Sequence, residues 1–244
     1  MNAVSGSADA APFNEEALKR GVASVRHPLT RALLVLTFTT GLIDSVSYLG
    51  LGRVFTANMT GNIVMLGFGL AGSGGLPVLA PLASLVAFVL GVICGGELVK
   101  RLEARHPALV ARALGIELSL ISLAAVLAAA TTVRPGHVLA YVVIVLLAVA
   151  MGVRSAVVRR IRVPDLSTVV LTMTLTALVS ESPIVGSSGG GSIRRLSAVL
   201  AMLAGALSGA LLLKADLFLP LLVAAALALV TALVYVPAAM RLGR

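Results

Sequence analysis

Apolar residues run along this chain in long unbroken blocks, without the alternation of a half-buried strand or the one-sided stripe of a soluble helix. The blocks extend from about Leu33 to Leu51, Leu76 to Val99, Ala108 to Thr131, Val138 to Val153, Leu196 to Leu213 and Leu217 to Val236. A helix of about 20 apolar residues crosses the hydrocarbon core of a bilayer, so the pattern predicts six transmembrane helices. Two further apolar segments, about Asn58 to Leu70 and Leu166 to Ser180, are shorter and rich in Thr, Gly and Asn. Their length predicts broken or re-entrant helices, whose free backbone groups must face protein or a water-filled cavity because lipid cannot satisfy them.

The two short segments correspond to each other. Asn58-Met59-Thr60-Gly61-Asn62 returns 114 residues later as Thr172-Met173-Thr174-Leu175-Thr176, and the same offset carries Gly72 onto Gly186, Gly91 onto Gly205 and Gly95 onto Gly209. The chain therefore divides into an N-terminal tail (1–29), a first transmembrane repeat (30–132) and a second (133–244). Gly91-Val92-Ile93-Cys94-Gly95 and Gly205-Ala206-Leu207-Ser208-Gly209 are small-xxx-small motifs, which let helix backbones approach closely in lipid and also permit a homodimer.

Charge selects the topology. If all eight apolar segments crossed, Lys19, Arg20, Arg26 and Arg31 would face one side while Lys100, Arg101, Arg105, Arg112, Arg159, Arg160 and Arg162 faced the other. If the two short segments return to the side they entered, the tail, those two loops, Arg194 and Arg195, and the end with Arg241 and Arg244 share one side, which the positive-inside rule makes cytoplasmic. Only Arg53, Arg134 and Lys214 beside Asp216 then remain outside. With three crossings in each half, the second half is upside down relative to the first. The expected fold class is an all-α integral membrane protein: six transmembrane helices plus two short broken or re-entrant segments, arranged as two inverted repeats. The chain is then multi-pass, with both termini expected on the cytoplasmic side.

Composition agrees: 59% of residues are hydrophobic and 12% charged, where soluble domains carry about 25% charged residues. The net charge of +9 belongs to loops, without the interleaved aromatics of a nucleic-acid surface, so no nucleic-acid partner is expected. The first span starts after a polar leader and lacks a cleavage pattern, so it does not read as a signal peptide. Cys94 is the single cysteine and forms no intrachain disulfide. His27, His106 and His137 have no metal-ligand spacing. Gly67-Phe68-Gly69-Leu70-Ala71-Gly72 fits a dinucleotide fingerprint but follows no strand, so no cofactor is expected. Asn58-Met59-Thr60 fits a glycosylation sequon, yet a residue entering the membrane is a poor acceptor. Ser208 lies between glycines with no histidine in any span to activate it; the chain does not read as an enzyme.

The candidate chemistry lies where lipid should not tolerate it. Asp44 sits inside the first span, where a lone carboxylate costs at least ~2.5 kcal/mol and needs either a partner or a proton. Arg154 follows the apolar run ending at Val153, and setting Gly152 against Gly41 brings the two neighbourhoods into correspondence with a slip of three residues. An Asp44–Arg154 pair across the repeats is one expectation; a protonatable Asp44, with Arg154 snorkelling to headgroups, is the other. Asn58, Thr60, Gly61, Asn62, Thr172, Thr174 and Thr176 offer side-chain and backbone groups to a solute, or hydrogen-bond glue between helices. Glu97 and Glu117 flank the basic Lys100 to Arg112 loop and are expected to reach the interface and pair with it.

Gly41-x-x-Asp44, Phe55-x-x-Asn58-Met59-Thr60-Gly61-Asn62, Phe88-x-x-Gly91 and Ala150-Met151-Gly152 with a Thr-rich segment resemble the bacterial YoaK-type family of multi-pass membrane proteins, classed as a domain of unknown function. The similarity covers about Leu33 to Val236, and the Met-Thr-Gly-Asn block is its most specific part. Members usually carry an aromatic-flanked Thr-Gly in the second repeat and Gln or Asn after the Met-Gly; here Leu175 replaces that glycine and Arg154 follows Val153. The resemblance implies an inner-membrane protein suspected of transport. The sequence as a whole points to a secondary transporter for a small polar or anionic solute, held near the midplane between inverted repeats and coupled to protons if Asp44 titrates. The alternatives are an ion or small-solute channel using the same motifs as a filter, and a membrane scaffold that transports nothing. The expected partners are the lipid bilayer and the solute or ion.

Overall fold

The computed structural model describes residues 28–102, 106–161, 171–181 and 191–242. All regular structure among them is helical: α1 (Pro28–Ser45), α2 (Met59–Leu70), α3 (Leu79–Leu102), α4 (His106–Ala130), α5 (Val138–Ile161), α6 (Leu171–Ser180), α7 (Ser192–Leu213) and α8 (Phe218–Leu242). Six are long and apolar enough to cross a bilayer, while α2 and α6 are the two short ones. Residues 1–27, the first part of the second short segment up to 170, and the basic positions Arg105, Arg162 and Arg244 lie outside the described residues.

Two boundaries differ from expectation for physical reasons. The sequence ends the fourth span at Val153, but α5 runs on for two more turns to Ile161. Arg154 did not end the span because its charge is neutralised inside the protein, as described below. At the other correction, α1 ends at Ser45 and widens into a π-helical turn over Val46–Gly50. Such turns often mark functional positions, and this one follows Asp44 directly. The chain then reverses through Gly52 and Arg53, both with positive φ.

In lipid, hydroxyl groups must find acceptors within the protein. Thr37, Thr39, Thr40 and Ser45 of α1 each donate to a carbonyl three or four residues back, and Ser45 is also within reach of the Ala206 carbonyl of α7 at 2.8 Å. These bonds let a threonine-rich helix pack in the interior, which is where α1 sits.

Helix contacts exchange between the two halves of the chain. α1 packs along α7 as α5 packs along α3; α4 touches α5 as α8 touches α1; α2 leans on α3 as α6 leans on α7; and α4 lies against its own counterpart α8. Burial follows the same exchange. In the apolar stretches, 67% of α1 and 61% of α5 is buried, against 22% of α3 and 17% of α7, with α4 and α8 both at 39%. The inner pair is therefore α1 with α5, and α3 with α7 are the peripheral helices, exposing leucines and valines such as Val89, Leu90, Leu200 and Leu203 as a lipid-facing surface does.

The glycines set these helix pairs. A Cβ on Gly91 of α3 would strike the Val149 carbonyl of α5, and one on Gly205 of α7 would strike the Phe38 carbonyl of α1. Reciprocally, Gly152 meets Phe88 and Gly41 meets Met202. Each contact in one half has its counterpart in the other, at an offset of 114 on the α3 and α7 side and 111 on the α1 and α5 side. These two offsets differ by the same three residues as the slip read in the sequence.

Candidate functional site

Each half contributes the start of a short helix to one open cavity of about 670 Å³. From the first come Asn58, Thr60 and Gly61 at the N-terminal turn of α2, and from the second Thr172 at that of α6. Asn58 caps α2, its Oδ1 accepting from the Gly61 amide at 3.4 Å, as short polar residues do at helix starts. Thr60 and Thr172 are exposed. The rest of the wall is apolar: Tyr48 from the π-helical turn, Phe55 from the following loop and Phe68 from α2, with Val64, Met65 and Leu76 beside them.

The loop that carries Phe55 is pinned from three helices. Asn62 of α2 is fully buried. Its Nδ2 donates to the Phe55 carbonyl at 2.6 Å and its Oδ1 accepts from the Phe55 amide at 2.8 Å. Ser84 of α3 donates to the same carbonyl at 2.7 Å. Asp44 of α1 accepts through Oδ1 from the amides of Thr56 at 3.1 Å and Ala57 at 3.0 Å. Its Oδ2 is buried and has no hydrogen-bond partner among the described residues. Asp44 and Asn62 therefore position the cavity's edge rather than line it.

The other residues singled out in the sequence fall elsewhere. Thr174 is buried and Thr176 is exposed, its hydroxyl returned to the Thr172 carbonyl at 2.9 Å; neither lines the cavity. The end of α6 is tied to α7 by Arg195, which donates to the Ala177 carbonyl at 3.2 Å and to Glu181 Oε2 at 2.5 Å.

Arg154 requires a correction. It does not pair with Asp44; its partner is Glu117 of α4. Nε donates to Glu117 Oε2 at 2.9 Å and Nη2 to Glu117 Oε1. Nη1 reaches the Leu36 carbonyl and the Thr40 hydroxyl, each at 2.8 Å, and Nη2 reaches the Thr39 hydroxyl at 3.1 Å. Glu117, expected at the interface, is 1% exposed. An arginine has five N–H donors, and all five are engaged here, so Arg154 has none left for an anion. Glu97 does pair at the basic end of α3, with Arg101 at 2.9 Å. A separate small cavity of about 30 Å³ lies beside the buried pair, near Thr231 and Tyr235.

Sequence reasoning missed Tyr48, Phe68 and Met65 because aromatic and thioether side chains in an apolar run look like packing. It missed Glu117's role although a signal was present: eleven residues into a 25-residue helix, a glutamate stands some 16 Å from the end at 1.5 Å per residue, too deep to reach headgroups.

Residues 32–234 match the family described as protein of unknown function, DUF1275. Over 150 residues the chain is 35% identical to the UPF0700 transmembrane protein YoaK of Bacillus subtilis (strain 168), covering 61% of this chain and 65% of that protein's length. No solved structure matches the chain.

Proposed function

The chain belongs to the DUF1275 family, a family of multi-pass membrane proteins without an assigned activity, and from that premise we propose that it is a secondary transporter whose solute binds where its two broken helices meet. The observation behind this reading is the shared cavity: Asn58, Thr60 and Gly61 from one half and Thr172 from the other, brought together from positions more than a hundred residues apart. Transporters built from repeats use discontinuous helices in this way, placing unsatisfied helix ends and short polar side chains around a solute. With three crossings in each half, the repeats are inverted, and exchange of packing between equivalent helix pairs would open the cavity to one side and then the other. Both termini and the basic loops lie on the cytoplasmic side of the inner membrane in this arrangement.

The test is a thermal-shift screen of metabolites and ions on the detergent-purified protein, repeated on Asn58→Ala and Thr60→Ala. A ligand at a hundredfold excess over its dissociation constant stabilises by about 2.7 kcal/mol. Asn58→Ala lowers the unliganded baseline by about 1 kcal/mol through its lost cap, so the ligand-induced increment is what is compared. Loss of that increment in both variants is expected; increments that survive both move the site elsewhere.

Asp44 supplies the coupling in this reading. It is a buried carboxylate with one oxygen unmatched, and it holds the amides of the loop that carries Phe55 to the cavity wall. Asparagine at this position keeps an oxygen for those amides and abolishes titration. Asp44→Asn protein in liposomes is expected to bind solute and exchange it while losing accumulation driven by an imposed pH gradient. Accumulation that still follows the gradient would remove Asp44 from the coupling mechanism.

A further inference from the structure

The lining of the cavity specifies the kind of solute more closely, and this step rests on the transporter reading. The chain has six Phe, three Tyr and no Trp. Tyr48, Phe55 and Phe68, a third of these aromatics, line this one cavity. Their arrangement is built rather than incidental. The Tyr48 and Phe55 rings stack with centroids 4.9 Å apart and planes at 23°. Phe55 is fixed at both its amide and its carbonyl by Asn62. Its ring lies over the first turn of α2, where a Cβ on Gly61 would come within 2.9 Å of it. Glycine in the Met-Thr-Gly-Asn block is thus what allows an aromatic wall next to the polar helix start. Phe68 is half exposed on α2, which leaves a ring face open at the cavity.

Charge is the second constraint. Among the described residues, no Asp, Glu, Lys, Arg or His lines this cavity. Asp44 is directed at backbone amides, and Arg154 and Glu117 are consumed by each other and by α1. An ion entering would lose hydration without gaining a counter-charge, a cost of several kcal/mol. A neutral ring would gain stacking against Tyr48, Phe55 or Phe68 and hydrogen bonds from Asn58, Thr60 and Thr172. We infer that the cavity takes an uncharged, flat, ring-bearing solute with hydrogen-bonding groups at one edge.

Four probes of matched size separate the possibilities: benzamide, benzoate, benzylammonium and cyclohexanecarboxamide. The readout is protection of a thiol introduced by Val64→Cys, an apolar position that lines the same cavity, in a Cys94→Ser background, against maleimide modification of the full-length protein in micelles. Benzamide is expected to protect at the lowest concentration, with the other three roughly fivefold weaker or worse, and Phe68→Leu is expected to weaken benzamide protection roughly fivefold. Phe68 is half exposed, so this variant tests the ring without emptying a core. Preference for benzoate or benzylammonium overturns the neutral class, and equal protection by cyclohexanecarboxamide overturns the ring requirement. If no probe protects but a ligand from the thermal screen does, the cavity remains the site and the solute class is wrong. If that ligand also fails to protect, the transporter site itself is misplaced.

Discussion

Glu117→Ala is expected to destabilise the protein by about 3–5 kcal/mol, the range seen when one member of a buried ion pair is removed. The side chains of Arg154 and Glu117 are 3% and 2% exposed, so neither group can be rescued by solvent where they stand. Without Glu117, two guanidinium donors lose their acceptors while the other three stay bound to Leu36, Thr39 and Thr40. The cation cannot withdraw to the interface without breaking these, and the cluster joins α1 and α4 of the first half to α5 of the second. Arg154→Met is expected to cost a comparable amount, because it strands the buried Glu117 carboxylate without its cation. The double change Glu117→Ala with Arg154→Met should cost much less than the sum of the single changes, since each single loss consists mainly of stranding the partner. Unfolding midpoints of the four proteins in mixed micelles give the comparison. A Glu117→Ala protein within about 0.5 kcal/mol of wild type, the range of ordinary surface substitutions, would show that the pair contributes little to stability.

The outline of this fold was readable because the bilayer imposes a strict rule on the chain: apolar length determines what crosses. The six long helices and the two short ones follow directly from it. Charge pairing was not readable in the same way. Arg154 looked like the first residue of a basic loop because three more arginines follow at Arg159, Arg160 and Arg162, and only a partner on another helix shows that it lies inside. That partner, Glu117, is remote in sequence and carries no motif. The cavity was half legible. Repetition of polar residues in short apolar segments pointed to Asn58, Thr60, Gly61 and Thr172, which the structure does bring to one place. The same repetition implicated Asn62, whose amide instead matches the backbone of Phe55 on both sides. A periodic sequence signal records that a position is used twice, without distinguishing a residue that faces a solute from one that shapes the wall.

Gly91→Ala and Gly205→Ala are expected to destabilise the protein by similar amounts, about 3 kcal/mol each, at the upper end of the overpacking range. In both cases the added methyl would meet a backbone carbonyl, of Val149 for Gly91 and of Phe38 for Gly205. A carbonyl within a helix has no rotamer to retreat to, so the whole helix pair must separate, and the hydrogen bonds and packing along its length are strained together. Gly96 provides the internal control. It lies on the same helix as Gly91 and one residue from Gly95, yet a Cβ there meets nothing within 4 Å. Gly96→Ala should therefore be neutral or stabilising by up to about 1 kcal/mol through helix propensity alone. The equality of the first two values is the sharper part of the expectation. If α3 against α5 and α7 against α1 are one interface used twice, equivalent substitutions must weaken the bundle equally, as measured by unfolding in mixed micelles. A large loss at Gly91 with none at Gly205 would mean that the halves share a sequence pattern without sharing its energetics, and that only one of the two helix pairs holds the bundle together.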